Sequence, residues 1–166
     1  MTEDHVDRIQ AQWRRERPDL DPSPQGVIGR LHRVGDRLRA ELVAEYARHG
    51  LGEGDFDVLA SLRRSGAPYE LPAGELAEHT MVTTGGMSKR LDRLEAAGLV
   101  SRRTDEADAR VRRVALTPDG LALIDRAFTD HMANEHRLLD GLTASDRATL
   151  ERILRAWLAE LDGDSA

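Results

Sequence analysis

The chain has no cysteine, only one lysine (Lys89), and just two residues each of Trp, Tyr and Phe. Without thiols there can be no disulfide framework, no thiolate metal site and no cysteine redox switch. No apolar run approaches the roughly 18 residues of a membrane span. The polar N-terminus, with Glu3, Asp4 and Asp7, resembles neither a secretion signal nor an Arg-rich transit peptide. The default expectation is therefore a cytoplasmic protein without a membrane partner. Enzyme signatures are also missing: GxSxG and HExxH do not occur, and the run TTGGMSKR lacks the GxxxxGK(S/T) spacing of a phosphate loop and follows a turn rather than a strand. The chain is not expected to be an enzyme, and no resident cofactor is implied.

What is present is an ordinary globular composition with an uneven charge. At 166 residues and 40% hydrophobic content, the sequence suits one domain or a compact two-part protomer. The net charge of −6 divides along the chain into 0 for residues 1–50, −4 for 51–85, +3 for 86–116 and −5 for 117–166. Only 86–116 is positive. Phosphate attraction depends on the local face rather than on the whole molecule, so an acidic total does not exclude a nucleic-acid partner.

Residues 71–117 have the pattern of a winged helix-turn-helix. Pro72 opens a short helix with Leu76 and Ala77 apolar, Met81 and Val82 fill a turn, and Thr83 caps a second helix with Met87, Leu91 and Leu94 on one face and Gly98 at its end. Two strand-like runs, Leu99 to Arg103 and Val111 to Leu116, flank a polar loop, Thr104 to Arg110, and Thr117-Pro118 then starts another helix. This shape has one common use, the binding of duplex DNA. The first turns of the second helix would enter the major groove, with Thr83, Thr84, Ser88 and Lys89 facing phosphates or base edges and Gly86 allowing close backbone approach.

The flanks are helical and apolar on one side. Val27, Ile28, Leu31, Val34, Leu38, Leu42 and Tyr46 recur at helical spacing between Ser23-Pro24 and Gly50, and Phe56, Leu59 and Leu62 mark a shorter helix over Asp55 to Ser65. Leu121, Ile124, Phe128, Met132 and Leu139 form a stripe after the wing. Thr143 with Asp146 caps a last helix bearing Leu150, Ile153, Leu154, Trp157 and Leu161. An N-terminal helix with Val6, Ile9 and Trp13 is set off by the Pro-rich loop Arg17 to Pro24 and is expected to pack as a separate arm. The fold class is mainly α with a small β-hairpin wing. It is divided into an arm and dimerisation helices (1–50), the winged module (51–117) and C-terminal dimerisation helices (118–166). A homodimer reading a pseudo-palindromic double-stranded DNA operator is the usual solution for such a layout.

The segments ELAEHTMVTTGGMSKRLDRLEAAGLVSRR, DEADARVRRVALTPDG and LLDGLTASDRATLERIL, in this order, resemble the MarR family of transcriptional regulators over nearly the whole chain. The resemblance implies a homodimer whose terminal helices interleave and whose winged modules each reach one half-site. It also places Asp108 and Arg110 on a DNA-contacting wing motif. Arg110 would insert into the minor groove, with Asp108 holding its guanidinium, while Arg112 and Arg113 reach phosphates. Two departures stand out: Ala109 occupies a wing position where arginine is frequent, and Gly85-Gly86 is unusual inside a recognition helix.

A second set of residues concerns sensing. Arg90 lies three residues after Met87 and four before Leu94, so its guanidinium is aimed inward, and a buried arginine needs an anion. Asp57, between Phe56 and Leu59, is one candidate, and a bound carboxylate or enolate is another. Trp13, Asp57, Arg90 and Arg102 together resemble the ligand set of the urate-responsive branch of the family, which also carries an extra N-terminal helix. That resemblance implies a small organic anion as effector, urate or purine-like, or citrate-like. Two alternatives stay open: a metal-responsive regulator using His131, Glu135 and the adjacent His136, and a ligand-independent architectural DNA-binding protein.

Overall fold

The computed structural model describes residues 3–80 and 84–163, and the side chains of all these except 77–79, 84 and 85. It separates into two compact units, Met1–Gly50 and Leu51–Ala166. Among the described residues, no helix is long and apolar enough to cross a membrane.

The first unit is a pair of helices, α1 (His5–Glu16) and α2 (Gln25–Arg48). The start of α1 is fixed by reciprocal capping: Asp4 Oδ1 accepts the backbone N–H groups of Val6 and Asp7 at 2.7 and 3.0 Å, and Asp7 Oδ2 accepts that of Asp4 at 2.9 Å. The helix is not a separate arm. Val6 is buried, Gln10 Nε2 donates to the carbonyls of Pro22 and Ser23, and Arg30 of α2 bridges Asp4 and Asp7 at 2.8 and 2.6 Å. The Pro-rich connection therefore folds α1 back onto α2. Along the apolar row of α2, Val27, Ile28, Leu31, Val34 and Leu38 lie exposed, Leu42 is half-buried and Tyr46 is buried.

The second unit is built around α3 (Glu53–Arg64), which touches α4 (Ala73–His79), α5 (Thr84–Ala96), β3 (Arg112–Leu116) and α6 (Pro118–Leu138). Its apolar face, Phe56, Val58, Leu59 and Leu62, joins Leu76, Leu91, Leu94, Val100, Val114 and Ile124 in a buried core. Two more strands, β1 (Glu70–Pro72) and β2 (Val100–Thr104), flank β3 in an antiparallel sheet of order β1-β3-β2. Leu71 faces Val114, and Arg102 faces Val114 from the other side.

β1 is absent from the sequence reading, which starts a helix at Pro72. Three residues are too few to show alternation; the strand exists because β3 pairs with it, and its Pro72 is tolerated at a sheet edge. Pro72 instead precedes α4 as its N-cap residue. The hairpin ends one residue away from the expected limits, a difference within ordinary fraying. Met81, Val82 and Thr83, read as the turn and the cap of the recognition helix, lie outside the described residues.

Thr117 caps α6 by accepting the Gly120 N–H at 3.0 Å and donates its own hydroxyl proton to Gly98 O at 2.7 Å. Gly120 is obligatory here, since a Cβ would stand 1.9 Å from the Leu99 carbonyl oxygen. The expected capping pair of the last helix, α7 (Ala144–Gly163), is present: Thr143 N–H donates to Asp146 Oδ2 at 3.3 Å and Asp146 N–H to Thr143 Oγ1 at 3.1 Å. No described residue of α7 is buried, and Leu150, Ile153, Leu154, Leu158 and Leu161 all lie open.

Candidate nucleic-acid interface

The second helix of the helix-turn-helix is α5, held by Met87, Leu91 and Leu94, all buried. The opposite face is open: Ser88 and Lys89 are exposed, and Gly86 is half-buried with, beyond its own helix backbone and among the described residues, no atom within 4 Å of where a Cβ would be. Thr83 lies outside the described residues, and Thr84 opens α5 with a side chain that is likewise not described. Ser88, Lys89 and Gly86 thus lie on a polar helix face free to approach a groove.

The wing tip places Asp108 and Arg110 in the open. Their contact differs from expectation. Asp108 Oδ1 accepts the backbone N–H of Arg110 at 2.9 Å, an Asx-type turn that shapes the loop and leaves the guanidinium to solvent. Among the described residues no carboxylate pairs with Arg110, which is therefore available to an anionic groove. Arg112 is exposed and donates to Thr104 Oγ1. Arg113, expected at a phosphate, is drawn into the wing: its Nε donates to Asp105 Oδ2, and its Nη1 lies 3.5 Å from Glu70 Oε1. Asp105 also accepts the backbone N–H groups of Ala107 and Asp108, at 2.8 and 3.1 Å. The Arg113 guanidinium and these donors hold its carboxyl at about 2.

The sensing residues separate. Arg90 is inward, as its spacing requires, with its side chain 16% exposed, but the carboxylate against it is Asp55 rather than Asp57, at 3.6 Å from Nε. Residues two apart on a helix point about 200° apart, so Asp55 and Asp57 cannot serve the same neighbour. Asp55 follows Gly54, where a Cβ would lie 2.2 Å from Arg90 Cζ. The missing side chain makes the slot into which the guanidinium fits. Asp55 Oδ1 is already taken by Arg93 Nη2 at 2.6 Å, and Arg90 Nε and Nη1 are buried without a hydrogen-bond partner among the described residues. Gly54, Asp55 and Arg93 were missed in the sequence; the Gly-Asp pair in the first turn of α3 is the signal that marks them.

Arg102 is fully engaged. Its Nε donates to Glu95 Oε2 at 2.8 Å and its Nη2 lies 2.8 Å from Asp92 Oδ1, so the first wing strand is tied to the end of α5. Glu95, and after it Asp92, raise the Arg102 pKa, and the Arg102 guanidinium in turn lowers that of Glu95. Trp13 lies on α1 in the first unit, exposed, and Asp57 is half-buried on α3. The histidine set is spread along α6: His131 is buried with its ring 5.0 Å from Phe56 and Nε2 3.3 Å from Glu135, whereas His136 is exposed. Of the three, only His131 and Glu135 are brought together, on a single helical turn.

The MarR-family sequence model matches residues 49–111. The chain is 38% identical over 149 residues to the HTH-type transcriptional regulator PecS of Dickeya dadantii, with 90% of each chain covered. It is 36% identical over 134 residues to an HTH-type transcriptional repressor of Mycobacterium tuberculosis, covering 81% of this chain and 93% of that one. Among solved structures it is similar to AbsC, a MarR family transcriptional regulator from Streptomyces coelicolor, at 26% identity, 87% and 97% coverage and a TM-score of 0.77. It is also similar to a mutant MarR from E. coli complexed with operator DNA, at 29% identity, 81% and 96% coverage and a TM-score of 0.70.

Proposed function

Because the chain belongs to the MarR family of DNA-binding transcriptional regulators, and so is a regulator rather than an enzyme, we propose that it is a cytoplasmic homodimeric repressor released from a pseudo-palindromic operator by a small organic anion. Urate or a similar purine, or a citrate-like acid, is the effector class. The observation that carries the release step is Arg90: a guanidinium on the recognition helix, largely buried, whose Nε and Nη1 have no hydrogen-bond partner among the described residues and whose adjacent carboxylate, Asp55, is committed to Arg93. Burying a cation with unmet donors is unfavourable, and an incoming carboxylate or enolate relieves that penalty.

The geometry supplies a lever. An anion bound at Arg90 competes with Asp55, which belongs to α3, for a side chain of α5, and like charge pushes the two anions apart. Any resulting turn of α5 re-aims Ser88 and Lys89. Release requires only that the anion prefer the misaligned dimer, at about 1.4 kcal/mol of preference per tenfold weakening of DNA binding. Arg102 joins such a site only by leaving Glu95 and Asp92. Trp13 and Asp57 belong to it by the urate-branch resemblance alone, and a fluorescence titration of Trp13→Phe tests the first of them.

The deciding experiment is a mobility-shift assay on an operator fragment titrated with urate and with citrate. The parent should be released by one of them, and Arg90→Ala should need at least tenfold more anion while binding the operator with nearly parental affinity. Release of Arg90→Ala at the parent's concentration, or retention of DNA by the parent with every anion tried, would remove this effector reading.

A further inference from the structure

The wing carries an arrangement that DNA contact does not explain. Arg103 and Arg113 face each other directly across β2 and β3. Two cations in that position repel unless something neutralises them. Glu70 does so from β1: its Oε2 and Oε1 accept from Arg103 Nε and Nη2 at 3.0 and 2.8 Å, a forked pair, and Oε1 also lies 3.5 Å from Arg113 Nη1. Arg113 then reaches Asp105 on its other side, and the Asp105 carboxylate holds the N–H groups of Ala107 and Asp108 at the base of the tip. Glu70 and Asp105 are each only 12% exposed. The chain of contacts therefore runs from Glu70 through Arg113 to the loop bearing Arg110, while three residues after Glu70 the first helix of the helix-turn-helix begins.

We propose that Glu70 is a positioning residue for operator binding, fixing the wing tip relative to the helix-turn-helix through Arg103 and Arg113 without touching DNA. The inference rests on the reading of Arg110 as the groove-inserting residue. It has a consequence opposite to that of simple electrostatics. Removing an acidic group from a DNA-facing module ought to strengthen DNA binding of every kind. A positioning role instead makes Glu70→Gln bind non-specific duplex more tightly, because Arg103 gains freedom to meet phosphate, yet bind the operator more weakly, because Arg110 loses its aim.

The test is a cycle of the full-length parent, Glu70→Gln, Arg110→Ala and the double variant, each measured against operator and scrambled duplex and each checked for its oligomeric state by light scattering. Glu70→Gln should lose about threefold to tenfold in operator affinity, a loss of the size that neighbouring coupled residues show, and this loss should disappear in the Arg110→Ala background. Amide exchange at residues 105–111 should speed up in Glu70→Gln. Tighter binding to both duplexes, or an equal loss in both backgrounds, overturns the proposal. If Arg110→Ala alone binds like the parent, the wing-tip reading fails, and exchange decides for Glu70 separately: unchanged protection at 105–111 overturns the clamp. Asp105→Asn, which cuts the same chain at its far end, replaces Glu70→Gln should the latter not fold.

Discussion

Two glycines that each leave room for a neighbour should respond differently to the same added methyl group. At Gly54 the methyl meets the Arg90 guanidinium, the far end of a flexible side chain that can swing away. Gly54→Ala should therefore leave the melting temperature within a degree or two of the parent, the more so because alanine favours the helix by up to about 1 kcal/mol, while weakening the anion response with Arg90 expelled from its slot. At Gly120 the methyl meets the Leu99 carbonyl oxygen, which is backbone and pinned by the Thr117 N–H at 3.1 Å. Gly120→Ala should destabilise by roughly 1–3 kcal/mol, as overpacking does, visible as a drop in the thermal melt. Equal melts for the two variants would show that the α6 start yields as easily as a side chain. The wing supplies a third residue-level outcome: Arg110→Ala should weaken operator binding in a mobility shift while leaving the protein folded, since that guanidinium has no partner among the described residues.

Among the elements, α1 is held on α2 by charge. It is docked by Arg30 on Asp4 and Asp7, whose pKa values are both lowered, Asp4 to about 2, by the capping N–H groups first and the guanidinium second. A carboxylate depressed on folding contributes stability that is complete above its ordinary pKa of 3.8 and is lost as pH falls toward 2. Docking of α1 should thus be indifferent to pH between 5 and 8 and fail only in acid, whereas Arg30→Ala should expose the α1 amides to exchange at neutral pH. Unchanged protection in that variant would assign the docking to Val6 and Gln10 instead.

The same scale shows what could be read from sequence. Helices with long apolar rhythms and explicit caps, such as Thr117 before α6 and Thr143 with Asp146 before α7, were legible because their causes are local. β1 was not, because its cause is a partner strand more than forty residues away. The inward direction of Arg90 followed from spacing, but its neighbour did not. Choosing Asp55 over Asp57 needs the crossing of α3 and α5, and the capture of Arg113 by Glu70 and Asp105 needs all three strands in place.

For the whole molecule, the exposed apolar rows decide the argument. On α7, Leu150, Ile153, Leu154, Leu158 and Leu161 are 39–59% exposed, and on α2 Val27, Val34 and their neighbours are similarly open. A soluble monomer rarely leaves contiguous rows of this kind uncovered. In the proposed homodimer a second copy would cover these rows and set two winged modules for two half-sites, so the interface and the DNA affinity should disappear together. Truncation after Gly141 removes α7 while leaving the winged module's core, centred on α3, intact. The product should be monomeric or aggregated by light scattering, and its operator affinity should fall to the level of non-specific binding, with a shallower dependence on salt because fewer phosphates are neutralised per complex. A truncated chain that remained a soluble dimer with parental affinity would move the interface away from α7 and leave its open row to some other use.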